Sequence, residues 1–247
     1  MKGIILAGGA GTRLRPLTLV SSKQLLPVYN QPMVYYPLQT LLQAGIKEIL
    51  IILAPERAGD FFRVLGSGKE FGVKFTYEIQ DKPNGLPEAF IIGEDFIDDQ
   101  PVTMVLGDNL FLDDDGELAK GINSFSSGAR AFAKEVPDPH RFGVVEFDEH
   151  QKVISIEEKP TAPKSSHAVT GLYIFDHDVS KVAKSLKPSK RGELEMVDVQ
   201  RHYLNQGKLD VRFFTGQWLD TGTFDSLLAA GVMVAEWRRR KEEAKKK

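Results

Sequence analysis

Apolar residues fall in short continuous runs along the first half of the chain. The runs at residues 3–7, 49–53 and 102–106 are typical of strands buried on both faces of a sheet. Residues 73–79 instead alternate apolar and polar side chains, which predicts a strand with one exposed face. Apolar positions at helical spacing predict intervening helices from Pro32 to about Gly45, around residues 60–65, and from Pro87 to about Phe96. This alternation favours an open, mostly parallel sheet with helices on both faces.

From Ala129 onward the predicted strands follow one another with only turns between them. Strands are predicted at residues 129–135, 143–147, 153–157 and 168–175, and helices return at 178–186 and 197–206. A strand at 209–214 and a final helix from about Thr223 complete the pattern. We find no internal repeat and no low-complexity linker, so we predict one domain. Its parts are a first half at residues 1–128, a second half at 129–222, and a C-terminal helix with a basic tail at 223–247.

The first apolar run ends in a loop that carries almost no side chains, Gly8-Gly9-Ala10-Gly11-Thr12. The amide N–H groups of such a loop can close directly on an anion. Arg13 follows at once, and Arg15 and Lys23 come soon after it. A bare amide cradle with several cations suits a triphosphate.

Two common phosphate-binding motifs do not fit this loop. The dinucleotide fingerprint requires a third glycine at the position that Leu14 occupies. The P-loop requires a Lys-Ser/Thr pair after the glycines, and none follows them here. The second strand also ends in Leu53-Ala54-Pro55 and not in an acidic residue. The missing third glycine and the missing acidic residue weigh against a nicotinamide-dependent oxidoreductase.

Two aspartates follow predicted strands in separate parts of the chain. Asp108 comes directly after the run at 102–106, and Asp220 lies in Trp218-Leu219-Asp220-Thr221-Gly222. Magnesium prefers few carboxylates, several waters and phosphate oxygens. We therefore expect the two aspartates to hold one Mg²⁺ against a triphosphate. The run Asp113-Asp114-Asp115 is followed by Gly116 in a polar stretch, which favours a solvated loop over a metal cluster.

Polar residues at strand ends in the second half suit a phosphorylated sugar. Glu157-Glu158-Lys159-Pro160 ends a predicted strand. A carboxylate accepts hydrogen bonds from hydroxyl groups, and a lysine offers a point charge to phosphate. Arg191 offers a further cation, and small residues at Gly143 and Thr170-Gly171 let a ligand approach the backbone. Each of these features is common on protein surfaces, so the prediction depends on their combination.

Composition narrows the class of protein. The chain has 247 residues, of which 42% are hydrophobic and 27% charged, as in ordinary globular proteins. The absence of cysteine excludes a disulfide framework and a thiolate metal site. No apolar stretch approaches the roughly 20 residues of a membrane span, and the start lacks the features of a signal peptide. We therefore predict a cytoplasmic protein that binds neither membrane nor nucleic acid.

The formal net charge of −2 is unevenly distributed. The tail WRRRKEEAKKK carries seven Lys/Arg against two Glu, so the body of the protein is acidic. Cations at the C-terminal end of a helix complement its macrodipole. We interpret the tail as a solvated helix end.

In combination these motifs resemble those of the glucose-1-phosphate thymidylyltransferases, a family of sugar nucleotidyltransferases. The matching segments run from Met1 to about Asp225 and are, in order, GGAGTRLRPLT, SKQLLP, the Gln80–Gly85 turn, LGDN, RFGVVEFD, EEKP, TGLYIFD, RGELEMVD and WLDTGT. The resemblance implies an α/β fold of the nucleotide-diphospho-sugar transferase type, a three-layer α/β/α sandwich with a Rossmann-like, mostly parallel but mixed central sheet. It also implies transfer of a thymidylyl group from dTTP to glucose 1-phosphate, giving dTDP-glucose, in dTDP-sugar biosynthesis such as the dTDP-rhamnose pathway. The family further implies a homo-oligomer, either a dimer or a tetramer.

The resemblance also implies roles for individual residues. Those expected to hold the nucleotide are Leu6, Gly8, Gly9, Gly11, Thr12, Arg13, Gln80 and Gly85. Those expected to bind the sugar phosphate are Gly143, Glu158, Lys159, Thr170 and Arg191. Asp108 and Asp220 would bind Mg²⁺, and the residues expected at the reacting phosphates are Arg13, Lys23, Lys159 and Asp108.

The chain departs from the longer members of that family at three places. Phe142 stands where they carry Tyr, and Glu88 stands where they carry Gln. They also continue for some tens of residues as helices that help to form a regulatory nucleotide site. The sequence therefore predicts a short form without that second site and without feedback inhibition.

Two alternative functions remain open at this stage. The chain could be a uridylyltransferase, or another sugar-1-phosphate nucleotidylyltransferase. It could also be a non-catalytic nucleotide sensor, although such a module need not keep both metal-binding aspartates and the cations at the reacting phosphates.

Overall fold

The buried apolar runs of both halves join a single mixed sheet in the computed structural model, which describes residues 1–246. The strands are β1 (Lys2–Ala7), β2 (Pro27–Val28), β3 (Gln31–Pro32), β4 (Glu48–Leu53), β5 (Lys74–Ile79), β6 (Val102–Leu106), β7 (Asn109–Leu112), β8 (Ala129–Glu135), β9 (Gly143–Phe147), β10 (Val153–Glu158), β11 (His167–Phe175), β12 (Leu209–Phe213) and β13 (Gln217–Asp220). The α-helices are α1 (Leu17–Val20), α2 (Tyr35–Gln43), α3 (Ala58–Leu65), α4 (Glu88–Ile92), α5 (Glu94–Ile97), α6 (Glu117–Asn123), α7 (Val179–Ser185), α8 (Met196–Asn205) and α9 (Phe224–Lys245). Short 3₁₀ turns lie at Thr12–Leu14, Lys23–Leu25, Pro55–Arg57, Lys69–Phe71 and Pro139–Arg141.

The sheet runs in the order β10-β9-β11-β6-β1-β4-β5, and β8 pairs with both β11 and β12. Strand β1 is central and parallel to both neighbours, with Ile5 opposite Ile51 on one side and Val105 on the other. Strand β11 is antiparallel to β6, so it joins the two halves of the chain in one sheet. The half-exposed pattern of residues 73–79 is explained by the position of β5 at an edge.

Alternate residues of β1 face opposite layers of helices. Ile4 and Leu6 pack in a core with side chains of α4, α5, α7 and α8, whereas Ile5 and Ala7 pack with α2, α3 and α6. Full burial of such side chains contributes about 1.5–3 kcal/mol each. The expected three-layer sandwich with a mixed central sheet is therefore confirmed.

Helix α9 packs outside these layers. Its N-terminus is closed by a capping box, in which the Ser226 amide donates to Thr223 Oγ1 at 3.2 Å and the Thr223 amide donates to Ser226 Oγ at 2.9 Å. Ala230 and Val234 are fully buried in a third apolar cluster. Near its other end, Lys241 lies 4.0 Å from the ring centre of Trp237 and 3.2 Å from Asp114. Lys247, the last residue of the basic tail, lies outside the described residues.

Some predicted boundaries were wrong. The helix expected from Pro32 begins at Tyr35, because Gln31–Pro32 pairs with Pro27–Val28 as a short hairpin. The helix expected from Pro87 to Phe96 is divided at Gly93, where an added Cβ would lie 2.8 Å from Leu50 Cδ2. The two-stranded sheet formed by β7 and β13 was not predicted. No helix within residues 1–246 is long and apolar enough to cross a membrane.

Candidate active site

The carboxyl ends of β1, β5 and β6 meet at one edge of the parallel part of the sheet. The glycine loop follows β1, Gln80 follows β5, and Asp108 lies just beyond β6. Gly11 adopts a φ of 59°, and an added Cβ there would lie 2.9 Å from Thr18 Cγ2. The loop therefore requires glycine at this position for both its backbone conformation and its close packing.

A cavity of about 220 Å³ opens beside this loop. Its walls include four residues predicted to hold a nucleotide, namely Leu6, Gly9, Gln80 and Gly85. Gly8 lies against Gln80, and Gly11 and Thr12 lie further along the same loop. The structure thus brings the glycine loop and the Gln80–Gly85 turn, the two segments predicted to hold the nucleotide, to one cavity.

Gly85 also contacts the second half of the chain. It forms a parallel bridge with Leu194, whose amide donates to the Asn84 carbonyl at 2.7 Å. Gly85 has a φ of 113°, and an added Cβ would lie 2.1 Å from the Leu194 carbonyl oxygen. Since Arg191 precedes Leu194 by three residues, this bridge links the nucleotide side to the segment that carries a predicted sugar-phosphate cation.

The unpredicted two-stranded sheet brings the two aspartates together. Strand β13 is antiparallel to β7, with Asp220 opposite Asn109, the residue after Asp108. Lys23 Nζ donates to Asp108 Oδ2 at 2.5 Å, and the Lys23 side chain is only 6% exposed. A strand pairing between residues far apart in sequence therefore builds this carboxylate pair.

Asp220 lies in an environment of competing charges. Burial and the nearby Asp108 carboxylate raise the pKa of Asp220, while Lys23, Arg141 and Arg13 act in the opposite direction. Arg141 Nη2 lies 3.2 Å from Asp220 Oδ2. Two carboxylates close enough for one to raise the pKa of Asp220 form a donor set suited to a hard divalent cation. No cluster of three or more His, Cys, Asp or Glu side chains suited to a metal was found within residues 1–246.

The acidic run 113–115 has a structural role, in line with the loop interpretation. The two carboxylate oxygens of Asp113 accept the amides of Glu117 and Leu118 at 3.0 and 2.9 Å, at the start of α6. Asp114 accepts the Trp237 indole N–H at 2.8 Å.

A larger cavity of about 570 Å³ adjoins the first one. Predicted residues in its walls are Arg13, Asp108, Gly143, Glu158, Lys159, Arg191 and Asp220. Lys159 and Arg191 both approach Glu158 Oε1, at 3.3 and 3.6 Å respectively. Lys159 has a φ of 44°, a conformation that costs of order 1–3 kcal/mol for such a residue and often occurs at functional sites.

Thr170 occupies a different position from the other predicted residues. It is fully buried in β11, and its neighbours Val169 and Gly171 line the cavity. Alternate residues of a strand face opposite sides, so the Thr170 side chain faces away from the side of Val169 and Gly171. A contact between Thr170 and a sugar remains a prediction.

The chain matches a known protein family over most of its length. The nucleotidyl transferase family model matches residues 2–236. The chain belongs to this family. A glucose-1-phosphate thymidylyltransferase from Neisseria meningitidis is 53% identical over 237 residues, which cover 95% of this chain and 82% of the relative. An enzyme of the same name from Mycobacterium tuberculosis is 51% identical, covering 97% of this chain and 84% of the relative.

Solved structures agree with this family. A Bacillus anthracis protein assigned as a glucose-1-phosphate thymidylyltransferase, crystallised with sucrose, superposes with a TM-score of 0.89 at 46% identity. The superposition covers 94% of each chain. A UDP-glucose pyrophosphorylase solved with UDP-glucose superposes with a TM-score of 0.83 at 24% identity, covering 95% of this chain and 98% of that one, and so shares the fold.

Several cavity residues were not among those predicted from sequence. Asn109 connects the two aspartate segments, because its Nδ2 donates to Asp108 Oδ1 at 2.9 Å while its Oδ1 accepts from the Trp218 indole N–H at 2.6 Å. The same oxygen accepts the Gly171 amide at 3.1 Å. Trp218 packs against Phe142 with 5.0 Å between ring centres. The available signal was the position of Asn109 and Trp218 near the two predicted metal ligands, since Asn109 follows Asp108 directly and Trp218 lies two residues before Asp220.

A further cleft of about 490 Å³ lies beside α9, lined in part by Met233, Arg239 and Arg240. The predicted absence of a second tight nucleotide site stays a prediction.

Proposed function

We propose that the chain transfers a thymidylyl group from dTTP to glucose 1-phosphate, giving dTDP-glucose and pyrophosphate. Its relatives at 51–53% identity carry the name of that activity and align with nearly the whole chain. The glycine loop, the carboxylate pair and the cations of the larger cavity supply the chemistry that this reaction requires.

The observation that carries the proposal is the junction of the two cavities. Both are lined by Leu86, Leu106, Asp108 and Glu193. A nucleotide in the smaller cavity would extend its phosphates past the glycine loop toward Asp108. A sugar phosphate in the larger cavity would approach the same residue from the side of Lys159 and Arg191. Asp108 would therefore lie where the two phosphates meet.

The reaction is an in-line displacement. A phosphate oxygen of glucose 1-phosphate forms a bond to the α-phosphorus of dTTP, and the bond from that phosphorus to the oxygen bridging the α- and β-phosphates breaks. Pyrophosphate leaves with the electron pair. Because the second pKa of a phosphate monoester is about 6, the attacking group is already largely dianionic at neutral pH and requires no general base.

The chain's own residues position the substrates and neutralise their charge. Lys159 and Arg191 would bind the sugar phosphate, exchanging part of their ion pairing with Glu158 for the ligand. Arg13 and Lys23 would bind the phosphates of the nucleotide. These cations reduce the repulsion between two anionic substrates, and such positioning supplies most of the catalysis in phosphoryl transfer.

Asp108 and Asp220 fit Mg²⁺ as its protein ligands. Two carboxylates with room for phosphate oxygens and water form the donor set that Mg²⁺ uses with nucleotide substrates. When bound, the ion would neutralise phosphate charge as a Lewis acid. Lys23 would hold Asp108 in its orientation through the 2.5 Å contact.

A pyrophosphate-release panel tests the proposed function. The panel crosses dTTP, UTP, CTP, GTP and ATP with several sugar 1-phosphates in the presence of Mg²⁺. We expect the highest kcat/KM with dTTP and glucose 1-phosphate. A clear preference for UTP would assign uridylyl transfer instead, and no release from any pair would contradict an enzymatic role.

The proposal includes a homo-oligomer, which rests on the resemblance to the family. The mass of the purified chain in solution, measured by light scattering after size exclusion, tests it. A mass equal to the chain mass of 27.5 kDa would contradict it.

A further inference from the structure

The carboxylate of Glu88 accepts hydrogen bonds from two side-chain amides. Gln80 Nε2 donates to Glu88 Oε2 at 2.7 Å, and Asn84 Nδ2 donates to Glu88 Oε1 at 2.7 Å. Glu88 is the first residue of α4 and borders the wall that Gln80 and Gly85 form in the smaller cavity. Nothing in the proposed reaction uses this carboxylate.

These contacts determine which way the Gln80 amide points. An ionised carboxylate has only acceptor oxygens, so the group that faces it must be the NH₂ end of the amide. The carbonyl oxygen Oε1 is consequently directed to the other side. It lies toward the glycine loop, 2.7 Å from the position of a Cβ added at Gly8. Gln80 is only 6% exposed, and its Nε2 also donates to the Gly85 carbonyl at 3.4 Å. Without Glu88, this longer contact would hold the buried amide less firmly in its orientation.

The orientation of this amide matters for base recognition. Thymine and uracil carry an N3–H donor, whereas N3 of cytosine is an acceptor. An amide that presents its oxygen to the cavity can accept from N3–H, and an amide that presents its NH₂ group can donate to N3 of cytosine. A site built to bond one of these atoms disfavours a ligand that leaves its polar group unpaired.

We propose that Glu88 is a positioning residue for nucleotide specificity, which holds Gln80 so that its oxygen faces a base with an N3–H group. The inference rests on the proposed function for the placement of the base. It extends that function, because Glu88 would influence the choice between thymine and cytosine without touching the base, by orienting Gln80.

The test is the ratio of dTTP to dCTP affinity, measured by calorimetry without sugar phosphate. In Glu88→Ala the Gln80 amide loses the shorter of its two hydrogen bonds, and we expect the ratio to fall about tenfold, mainly through weaker dTTP binding and some gain in dCTP binding. Glu88→Gln keeps one acceptor oxygen in the same space, so its ratio should lie between those of Glu88→Ala and the wild type. Asn84→Ala removes the other hydrogen bond of Glu88 but keeps the one to Gln80, and it should keep the wild-type ratio.

A merely structural role for Glu88 predicts a different result. The melting temperature would fall, and affinity for both nucleotides would fall equally, with the ratio unchanged. That outcome in Glu88→Ala and Glu88→Gln would overturn the inference, and so would a ratio in Asn84→Ala as low as in Glu88→Ala. Because this measurement needs no turnover, a chain that binds dTTP but releases no pyrophosphate would contradict the proposed function and leave the inference to be decided by the ratio.

Discussion

At the scale of single residues, Asp108 and Asp220 differ in their electrostatic surroundings, although both are proposed ligands of one cation. Asp108 is compensated, because Lys23 donates to one of its oxygens and Asn109 to the other. Asp220 pairs with Arg141, yet burial and the nearby Asp108 carboxylate raise the pKa of Asp220. A raised pKa in the folded protein means that the ionised form of Asp220 opposes folding at neutral pH. The site therefore keeps an ionised carboxylate at Asp220 that lowers the stability of the folded protein.

We predict that Asp108→Asn and Asp220→Asn each lower kcat at least about a hundredfold, since each removes an anionic oxygen ligand from a hard cation. The two variants should differ in stability. Asp220→Asn should unfold at the same or a higher temperature than the wild type, because it removes the unfavourable charge. Calorimetric melting and steady-state rates over a Mg²⁺ series measure both effects.

Asp115→Asn is the matched control for these variants, since Asp115 lies in an exposed acidic loop. It should leave both rate and melting temperature unchanged. Near wild-type turnover of Asp108→Asn or Asp220→Asn at limiting Mg²⁺ would contradict the two-aspartate metal site.

At the scale of elements, the turn at Gly85 and the segment at Leu194 hold the two cavities in contact. We predict that Gly85→Ala lowers kcat/KM for both substrates by about tenfold or more, because the added Cβ would meet the Leu194 carbonyl and separate the two segments. Rates as functions of each substrate, with the other saturating, measure the effect.

The chain offers a control that isolates backbone strain. Gly45 also has a positive φ, of 79°, but an added Cβ there has nothing within 4 Å. Gly45→Ala should cost about 1 kcal/mol of stability through its backbone alone and leave kcat/KM unchanged. Equal activity losses in the two variants would attribute the Gly85 effect to strain and not to the bridge.

The elements that could be predicted from sequence are those whose signal is local. The strands β1, β4 and β6 are continuous apolar runs, and the glycines after β1 indicate a phosphate-binding loop. The pairing of β7 with β13 had no such signal. Each strand has four residues, they lie about a hundred residues apart, and their register is decided by packing around Asn109 and Trp218. The chemistry of the two aspartates and the resemblance predicted that Asp108 and Asp220 are neighbours, but neither predicted the strand pairing that brings them together.

Arg141 shows the same limit at a single position. It precedes Phe142 in a polar stretch, where an arginine gives no signal of a particular role. In the structure it forms ion pairs with Asp220 and Asp138. The contact with Asp220 depends on where the turn Pro139–Arg141 lies relative to β13, and tertiary packing decides that position.

At the scale of the whole molecule, we propose that the two halves contribute differently to binding the two substrates. Lys159 and Arg191 come from the second half and lie among acidic partners, namely Glu158, Glu193 and Glu195. The glycine loop and Gln80 come from the first half. The cations proposed for the sugar phosphate thus come from the second half and the proposed base contact comes from the first, while Leu86, Leu106, Asp108 and Glu193 line both cavities.

We predict that Lys159→Ala and Arg191→Ala each lower kcat/KM for glucose 1-phosphate by about ten- to a hundredfold, the value of a charge-assisted hydrogen bond. The affinity for dTTP alone, measured by calorimetry, should change little. Lys164→Ala serves as the control, since Lys164 also pairs with a glutamate of the second half, Glu146, but outside the cavity. An equal loss of dTTP affinity would move Lys159 and Arg191 to the nucleotide side.

The indole of Trp218, which is hydrogen-bonded to Asn109, can report on the site through its fluorescence. The sequence holds two tryptophans, and the second, Trp237, lies on α9 against Lys241 and Asp114. Trp237→Phe would leave one indole, at the wall of the larger cavity and one hydrogen-bonded residue from the carboxylate pair. Its emission should then shift when a sugar phosphate or a divalent cation binds, so that occupancy of each part of the site can be followed in real time without a label.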